Sequence, residues 1–352
     1  MRILHVISSL GIGGAERLIS DMLPQMKTAG VDVSLLVYRR LYNAFEKNLE
    51  DVGVNIISLE AKNNLSPKII FSLANVMKGF DIIHVHLFPA LYQVAVANVF
   101  CRKKLLFTEH STTNRRRQSR FFRKIEGVVY GQYIRLISVS VETQDSLKVW
   151  LNEESRRFSV ISNGIDLNVY RLAKSKNDYP YTLLMISRFG QEKDHKTLIN
   201  ALQWLCEDVH VTFVGDGDTK TSCEELACKL GVAERCHFMG VQSNIPYWVS
   251  KADIGVLSTH WEGLPLTIIE MMAGGLPVIA SDVDGVRQVV DGAGLMFPEG
   301  NDRALADMIN QLITNPYYRK QIAERCFERA SLYDIRQTVQ SYIEIYQSVY
   351  HN

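Results

Sequence analysis

The chain has 352 residues, 47% of them hydrophobic and 22% charged, with a formal net charge of +1. That composition excludes a disordered or fibrous polypeptide, and the length exceeds one typical core and suits two domains. No apolar run reaches the ~18 residues that a membrane span needs, and the six cysteines are scattered with no paired framework, as free thiols in a reducing compartment are.

The opening stretch MRILHVISSLGIGGAER has a short apolar run broken by His5 and no small-residue cleavage pattern. It reads as a buried strand, not a secretory leader, and a cytoplasmic chain is expected. Strand-length runs rich in Val, Ile and Leu follow at Ile3–Ser8, Val31–Tyr38, Asn55–Leu59, Asp81–His86, Lys104–Thr108 and Leu136–Ser140, the pattern of buried parallel strands. Helical patterns alternate with them, such as Ala15–Ala29, which Pro24 interrupts. Residues 1–163 therefore read as one doubly wound α/β domain. Residues 164–180 are polar and turn-rich, as a linker is. The alternation restarts over residues 181–333, with strands at Tyr181–Ser187, Val209–Val214, Arg235–Phe238, Ile254–Ser258 and Pro277–Ala280. A last helix, about 334–352, is expected to pack back on the first domain. Two such sheets with their strand ends toward a common cleft offer two half-sites for one ligand.

Charge is uneven along the chain. Residues 1–165 carry 22 Lys+Arg against 14 Asp+Glu, and the remainder carries 17 against 24. Either the first half meets an anionic partner or one basic helix face makes the difference. The segment 115–124, Arg-Arg-Arg-Gln-Ser-Arg-Phe-Phe-Arg-Lys, mixes cations with aromatics. An anionic membrane surface or a lipid diphosphate suits it better than nucleic acid, for which no reading motif is present, and a solvated helix suits it as well.

The first strand ends in a turn with Gly11, Gly13 and Gly14. Glycines there let the backbone approach a phosphate, and the helix that follows presents free N–H groups. Glu16 stands where the third glycine of a dinucleotide fingerprint belongs, and Tyr38-Arg39-Arg40 replaces the ribose-binding acid. NADP stays open through the arginines, as does a plain tight turn. In the second half, Arg188 and Lys193 flank a loop before a helix, where two cations suit a diphosphate. The most informative stretch is Glu262-Gly263-Leu264-Pro265-Leu266-Thr267-Ile268-Ile269-Glu270. Pro265 is expected in the first turn of a helix that carries Glu270. The N–H groups of Gly263 and Leu264 can meet a phosphate or sugar oxygen, and each carboxylate can accept from paired vicinal hydroxyls.

The pieces GGAER, SRFGQEKDH, FMG, EGLPLTIIE and GGLPVIAS, in this order, resemble the retaining family-four glycosyltransferases of the GT-B fold (glycosyl transferases group 1). The resemblance implies two Rossmann-like domains with parallel sheets facing a central cleft. It implies that Gly13 and Gly14 approach the donor diphosphate, that Arg188 and Lys193 neutralise it beside Gly263 and Leu264, and that Glu262 binds the transferred sugar. It assigns Glu270 to the ribose and the backbone around Met239 and Val241 to the base. His110 matches the histidine near the reacting sugar, unless it merely caps a strand end, and Asn163-Gly164 matches the start of the hinge. The implied partners are a nucleotide-sugar donor, most often a UDP-sugar, and a glycan or lipid-linked acceptor in polysaccharide or glycoconjugate assembly. That work suits a cytoplasmic protein, peripheral at the inner membrane face.

Two departures stand out: Gln288 where many relatives carry Glu, and Gly215-Asp216-Gly217-Asp218 running into Thr219-Lys220. No cofactor or metal is expected. His84 and His86 share a strand face without a third ligand in sight, and the acid pairs Asp216/Asp218 and Asp282/Asp284 are of a common loop type. A nucleotide-sugar epimerase, a silent nucleotide-sugar-binding subunit and a dehydrogenase remain as alternatives.

Overall fold

The protein is seen in a computed structural model that describes every residue except 12, 112–118, 172–174, 176–178 and 352; the side chain of Arg120 also lies outside the description. The chain divides into two units, one of Met1–Gly164 with Ile335–Asn352 and one of Ile165–Asp334.

The first unit alternates β1 (Arg2–Ile7), α1 (Gly14–Thr28), β2 (Asp32–Val37), α2 (Ala44–Asp51), β3 (Asn55–Ser58), α3 (Lys68–Met77), β4 (Ile82–His86), α4 (Ala90–Asn98), β5 (Lys104–Glu109), α5 (Arg120–Tyr130), β6 (Tyr133–Ser138), α6 (Val141–Leu151) and β7 (Phe158–Val160). All seven strands are parallel in the order β3-β2-β1-β4-β5-β6-β7. Both faces are covered, which is why β1, β2 and β4 read as nearly continuous apolar runs. Ile3, Leu35 and Leu106 pack in one core layer, and Leu4, Leu36 and Val85 in the other. The alternation along each strand sends successive side chains to opposite layers.

The second unit repeats the pattern with β8 (Tyr181–Ile186), α7 (His195–Ala201), β9 (Val209–Val214), α8 (Lys220–Lys229), β10 (Cys236–Phe238), α9 (Ile245–Ser250), β11 (Ile254–Leu257), α10 (Leu266–Ala273), β12 (Val278–Ser281), α11 (Asp284–Val290), β13 (Leu295–Phe297), α12 (Asp302–Thr314) and α13 (Pro316–Ala330). Its six strands are parallel in the order β10-β9-β8-β11-β12-β13. The last helix, α14 (Ile335–His351), buries Ile335, Val339, Tyr342, Tyr346 and Val349 in the core layer of α1 in the first unit.

Three sequence readings are amended. The short edge strands β7 and β13, three residues each, were not apparent as separate runs. The stretch 164–180 is more than a spacer, because Ile165, Leu167 and Tyr170 are buried in the second unit's core. Pro265 is the residue before α10 and has a non-helical ψ of 86°, so it caps the helix from outside instead of starting its first turn.

Candidate active site

In both sheets the strand order reverses at one place, between β1 and β4 in the first unit and between β8 and β11 in the second. Connections leave such a switch point in opposite directions, and the gap at the carboxyl ends of the strands receives ligands. Gly13, Gly14, His110, Arg188, Lys193, Met239, Val241, Glu262, Gly263 and Leu264 fall on loops or helix starts that follow β1, β5, β8, β10 or β11, and Glu270 lies further along α10.

In the second unit the loop after β8 and the loop after β11 are stitched together by the backbone. Asp194 N–H donates to the Ser258 carbonyl at 3.0 Å, His260 N–H to the Glu192 carbonyl at 2.9 Å, and Lys193 bridges Thr259. The Thr259 hydroxyl adds a bond to the Glu192 carbonyl at 2.8 Å. These contacts bring together two residues 69 positions apart: the Lys193 ammonium donates to the Glu262 carboxylate, with only 14% and 13% of the two side chains exposed. Arg188 is 68% exposed and pairs with Glu192 at 2.7 Å, a surface ion pair of small energetic weight. The rest of this stretch builds the loop. Phe189 stacks on His195 with ring centroids 3.8 Å apart. The Ser187 hydroxyl meets His195 Nε2 at 2.9 Å, and Asp194 caps α7 by accepting from Thr197 N–H at 3.1 Å. Burial pushes the His195 imidazole down to about 3, so it is neutral at physiological pH.

Gly263 and Leu264 precede α10, and their N–H groups have no partner among the described residues. Glu270 lies on α10 with 5% of its surface exposed. Gly285 abuts the carbonyls of Glu262 and Gly263 so closely that any Cβ there would collide with them. Gln288, whose identity seemed a departure, fixes the same loop by donating from Nε2 to the Gly263 carbonyl at 3.1 Å. Sequence reasoning missed this role, which only the packing of α11 on the loop reveals.

Past β10, the Met239 N–H is used by the Phe213 carbonyl at 2.9 Å, and the Gly240 carbonyl accepts from Gly215 at 2.8 Å. The N–H groups of Gly240 and Val241 have no partner among the described residues, and the side chains of Met239 and Val241 are 38% and 54% exposed. Gly215 and Gly217 have φ of +145° and +150° and pass directly against the backbone of Ser187 and Phe189. The glycines of this loop therefore serve strand packing.

In the first unit Gly13 is the N-cap of α1 with extended φ of −171° and no side-chain cap, and Gly14 is the first helical residue. The Glu16 carboxylate curls toward Gly11 and Gly13. Burial pushes its pKa up, against the hydrogen bond from its own N–H. Arg40 is already engaged. It is held by Glu46 at 2.9 Å and Glu50 at 2.8 Å, and the buried Glu46 also takes the N–H groups of Leu41 and Tyr42. That engagement removes the Arg40 guanidinium from the NADP reading. Similarly, Asp282 and Asp284 are both neutralised by Arg287, at 2.5 and 2.7 Å.

His110 follows β5. Its Nε2 lies 3.2 Å from His86 Nδ1, its Nδ1 is buried without a partner among the described residues, and burial pushes its pKa down to about 4. Behind it, the sheet supplies the third imidazole that the sequence did not bring beside His84 and His86. His5 on β1 is in register with His84 on β4, and one ring nitrogen from each of the three lies within 4.8 Å of the others. The ring nitrogens are already engaged in hydrogen bonds. Strand adjacency of β1 and β4 is the signal that pairs His5 with His84, and a single sequence does not print it. Of the basic segment 115–124, residues 115–118 lie outside the described residues. The helix α5 that follows exposes Phe121 and Val128, at 69% and 71%, while Arg123 donates to the Trp150 carbonyl at 2.7 Å. Among the described residues no helix is long and apolar enough to cross a membrane.

Two parallel α/β units, each with a bare helix start at its switch point, are the architecture of a GT-B glycosyltransferase. The fold matches the crystal structure of Anabaena HepE in complex with UDP and glucose, with a TM-score of 0.85, 21% identity and coverage of 99% of this chain and 100% of that one. The Glycosyltransferase Family 4 model matches residues 12–169, and the Glycosyl transferases group 1 model matches residues 169–329. The chain belongs to glycosyltransferase family 4. It is 27% identical over 286 residues to the phosphatidyl-myo-inositol mannosyltransferase of Mycobacterium leprae, covering 77% of this chain and 74% of that one. It is 26% identical over 244 residues to the UDP-Gal:alpha-D-GlcNAc-diphosphoundecaprenol alpha-1,3-galactosyltransferase of Escherichia coli, covering 62% of each.

Proposed function

We propose that the protein is a retaining glycosyltransferase that moves a hexosyl or N-acetylhexosaminyl group from a UDP-sugar to a hydroxyl of a lipid-linked or glycan acceptor, without a metal, in polysaccharide or glycoconjugate assembly. The observation that carries the reading is the Lys193–Glu262 pair beside the N–H groups of Gly263 and Leu264, which have no partner among the described residues. A half-buried ammonium next to bare amides suits a diphosphate, and the adjacent carboxylate suits sugar hydroxyls. The UDP of the HepE complex and the diphosphoundecaprenol and phosphatidylinositol acceptors in the relatives' names support the donor and acceptor classes.

In this reading Lys193, Arg188 and the amides of Gly263 and Leu264 stabilise the charge that grows on the departing diphosphate. Removing one such donor costs ~10²–10³ in rate where it acts in the transition state. The bond from the anomeric carbon to the diphosphate oxygen breaks, the acceptor oxygen bonds the same face of that carbon, and the acceptor proton passes to the diphosphate. No protein carboxylate is needed as base. Glu270 takes the ribose hydroxyls, the backbone at Met239–Val241 meets the base, and His110 faces the sugar. The lipid acceptor approaches the cationic first unit near 115–124, at the cytoplasmic face of a membrane.

A thermal-shift panel of UDP-, GDP- and ADP-sugars reads the donor, because a ligand of the native state raises the melting point. NMR of the product reads the anomer, and EDTA reads the metal. Selective stabilisation by UDP-sugars, a product with the donor's configuration and EDTA-resistant turnover are expected. Inversion, loss of turnover in EDTA or a panel indifferent to the base would each overturn the corresponding part. An epimer formed from donor alone would replace transfer by epimerisation.

A further inference from the structure

Seven side chains of the first unit form one unbranched hydrogen-bonded chain from His110 to the core beneath α14. His110 Nε2 meets His86 Nδ1 at 3.2 Å, and His86 Nε2 meets His5 Nδ1 at 3.1 Å. His5 Nε2 meets the Tyr346 hydroxyl at 3.3 Å, and that hydroxyl meets His84 Nδ1 at 2.6 Å. His84 Nε2 meets the Thr108 hydroxyl at 2.7 Å, which meets the Tyr342 hydroxyl at 3.2 Å. His5, His84, His86, Thr108, Tyr342 and Tyr346 are all fully buried.

Burial holds all four imidazoles well below their ordinary pKa, with His5 at about 3 and His110 at about 4. Each ring is therefore neutral and carries one proton, as does each hydroxyl. Four rings and three hydroxyls hold seven protons, and the contacts between them number six. One proton has no acceptor within the chain; both nitrogens of His5, His84 and His86 are taken up by links, so it lies either on one of the three hydroxyls, since an inner hydroxyl can accept from both neighbours, or on His110 Nδ1.

The two alternatives are unlike. If His110 donates inward from Nε2, the orphan is on the hydroxyl of Tyr346, Thr108 or Tyr342, all in fully buried residues, with no further acceptor for it among the described residues. A buried donor left without acceptor is the costly outcome. If the protons point outward, the orphan is the Nδ1–H of His110, whose Nδ1 is also buried and without a partner among the described residues, but which belongs to a half-buried residue just past the carboxyl end of β5, the end of the sheet that receives ligands.

We infer that Tyr346, His5 and His86 are positioning residues that fix His110 as its Nδ1–H tautomer, so that α14 arms a hydrogen-bond donor for a ligand oxygen at the first unit's switch point. The inference rests on the proposed reading of His110 as the sugar-facing group. In this polarity His5, His84, His86 and His110 are all Nδ1–H tautomers, and the hydroxyl of Tyr346 donates to His5 Nε2 while accepting from His84.

The test is long-range proton–nitrogen NMR of the full chain labelled with nitrogen-15 histidine, without ligand, with assignment by single-histidine substitution. Pyrrole-like Nδ1 and pyridine-like Nε2 shifts are expected for all four rings. Tyr346→Phe removes the hydroxyl that joins the two halves, and His5, His86 and His110 are then expected to give averaged shifts from both tautomers. A wild-type His110 with the proton on Nε2, or a Tyr346→Phe spectrum unchanged from wild type, overturns the inference. Should the variant fail to fold, the wild-type spectrum decides alone. Adding UDP-glucose to the labelled protein separates the two readings: a spectrum of four Nδ1–H rings that UDP-glucose leaves unmoved at His110 keeps the polarity and sinks the sugar-facing role.

Discussion

Gln288 on α11 donates its side-chain amide to the carbonyl of Gly263, 25 residues earlier, at 3.1 Å, and a second bond reaches the Gly285 carbonyl at 3.3 Å. Both partners are acceptors, so a carboxylate at this place has nothing to receive. Gln288→Glu is expected to loosen the Glu262–Leu264 loop, weaken UDP binding about fivefold to tenfold and cost about 1 kcal/mol of stability. Calorimetric titration with UDP and a melting curve check both, and equal affinity would separate the loop from Gln288.

The Lys193–Glu262 pair predicts opposite consequences for its two members. Glu262→Gln frees the ammonium, so UDP should bind as well as before or more tightly while turnover falls. Lys193→Ala removes the cation and leaves Glu262 to repel the diphosphate, so UDP affinity should fall about tenfold or more. Parallel losses of UDP affinity in the two variants would count against the division of labour.

Acid should destabilise both units. His5 and His195 have folded pKa values of about 3, far below their unfolded value of 6.5, so the unfolded chain binds the proton first. Their contribution is complete above pH 6.5 and declines as pH falls toward 3. By pH 5 each neutral imidazole has lost roughly 2 kcal/mol of its stabilising contribution. Denaturant midpoints between pH 7 and pH 5 should show this slope, and His195→Gln should make it shallower.

Gly215 has φ of +145°, and a Cβ there would run into the Ser187 carbonyl. Gly215→Ala therefore combines backbone strain with a steric clash at the β8–β9 junction, and a loss on the order of 3 kcal/mol is expected. Gly14→Ala, with open space around its Cβ position, should leave stability within about 0.5 kcal/mol of wild type. Melting curves of the two variants compare them directly.

Fold class was legible because buried parallel strands alternate with amphipathic helices, a signal carried locally by residues such as Ile3, Leu35 and Val211. The edge strand β13 escaped because three residues are too few to show a period. The loop residues Lys193 and Glu262 were legible as chemistry, but their contact was not, since it depends on the pairing of β8 with β11. For the same reason the run from His110 to Tyr342 stayed hidden. Its members come from β1, β4, β5 and α14, and only strand order and the return of the last helix bring them together. Arg40 misled in the opposite sense, because a nearby buried Glu46 claims it.

The return of α14 also bears on biosynthesis. A ribosome delivers Met1–Gly164 long before Ile335–His351, yet Ile335 packs so closely on Gly164 that any side chain there would collide with its backbone, and Tyr342 and Tyr346 close the layer over β1 and β4. While the intervening 165–334 are being made, the nascent first unit keeps that flank of its sheet bare to water. A premature stop shortly after Asp334 would leave the first unit with an unsealed interior.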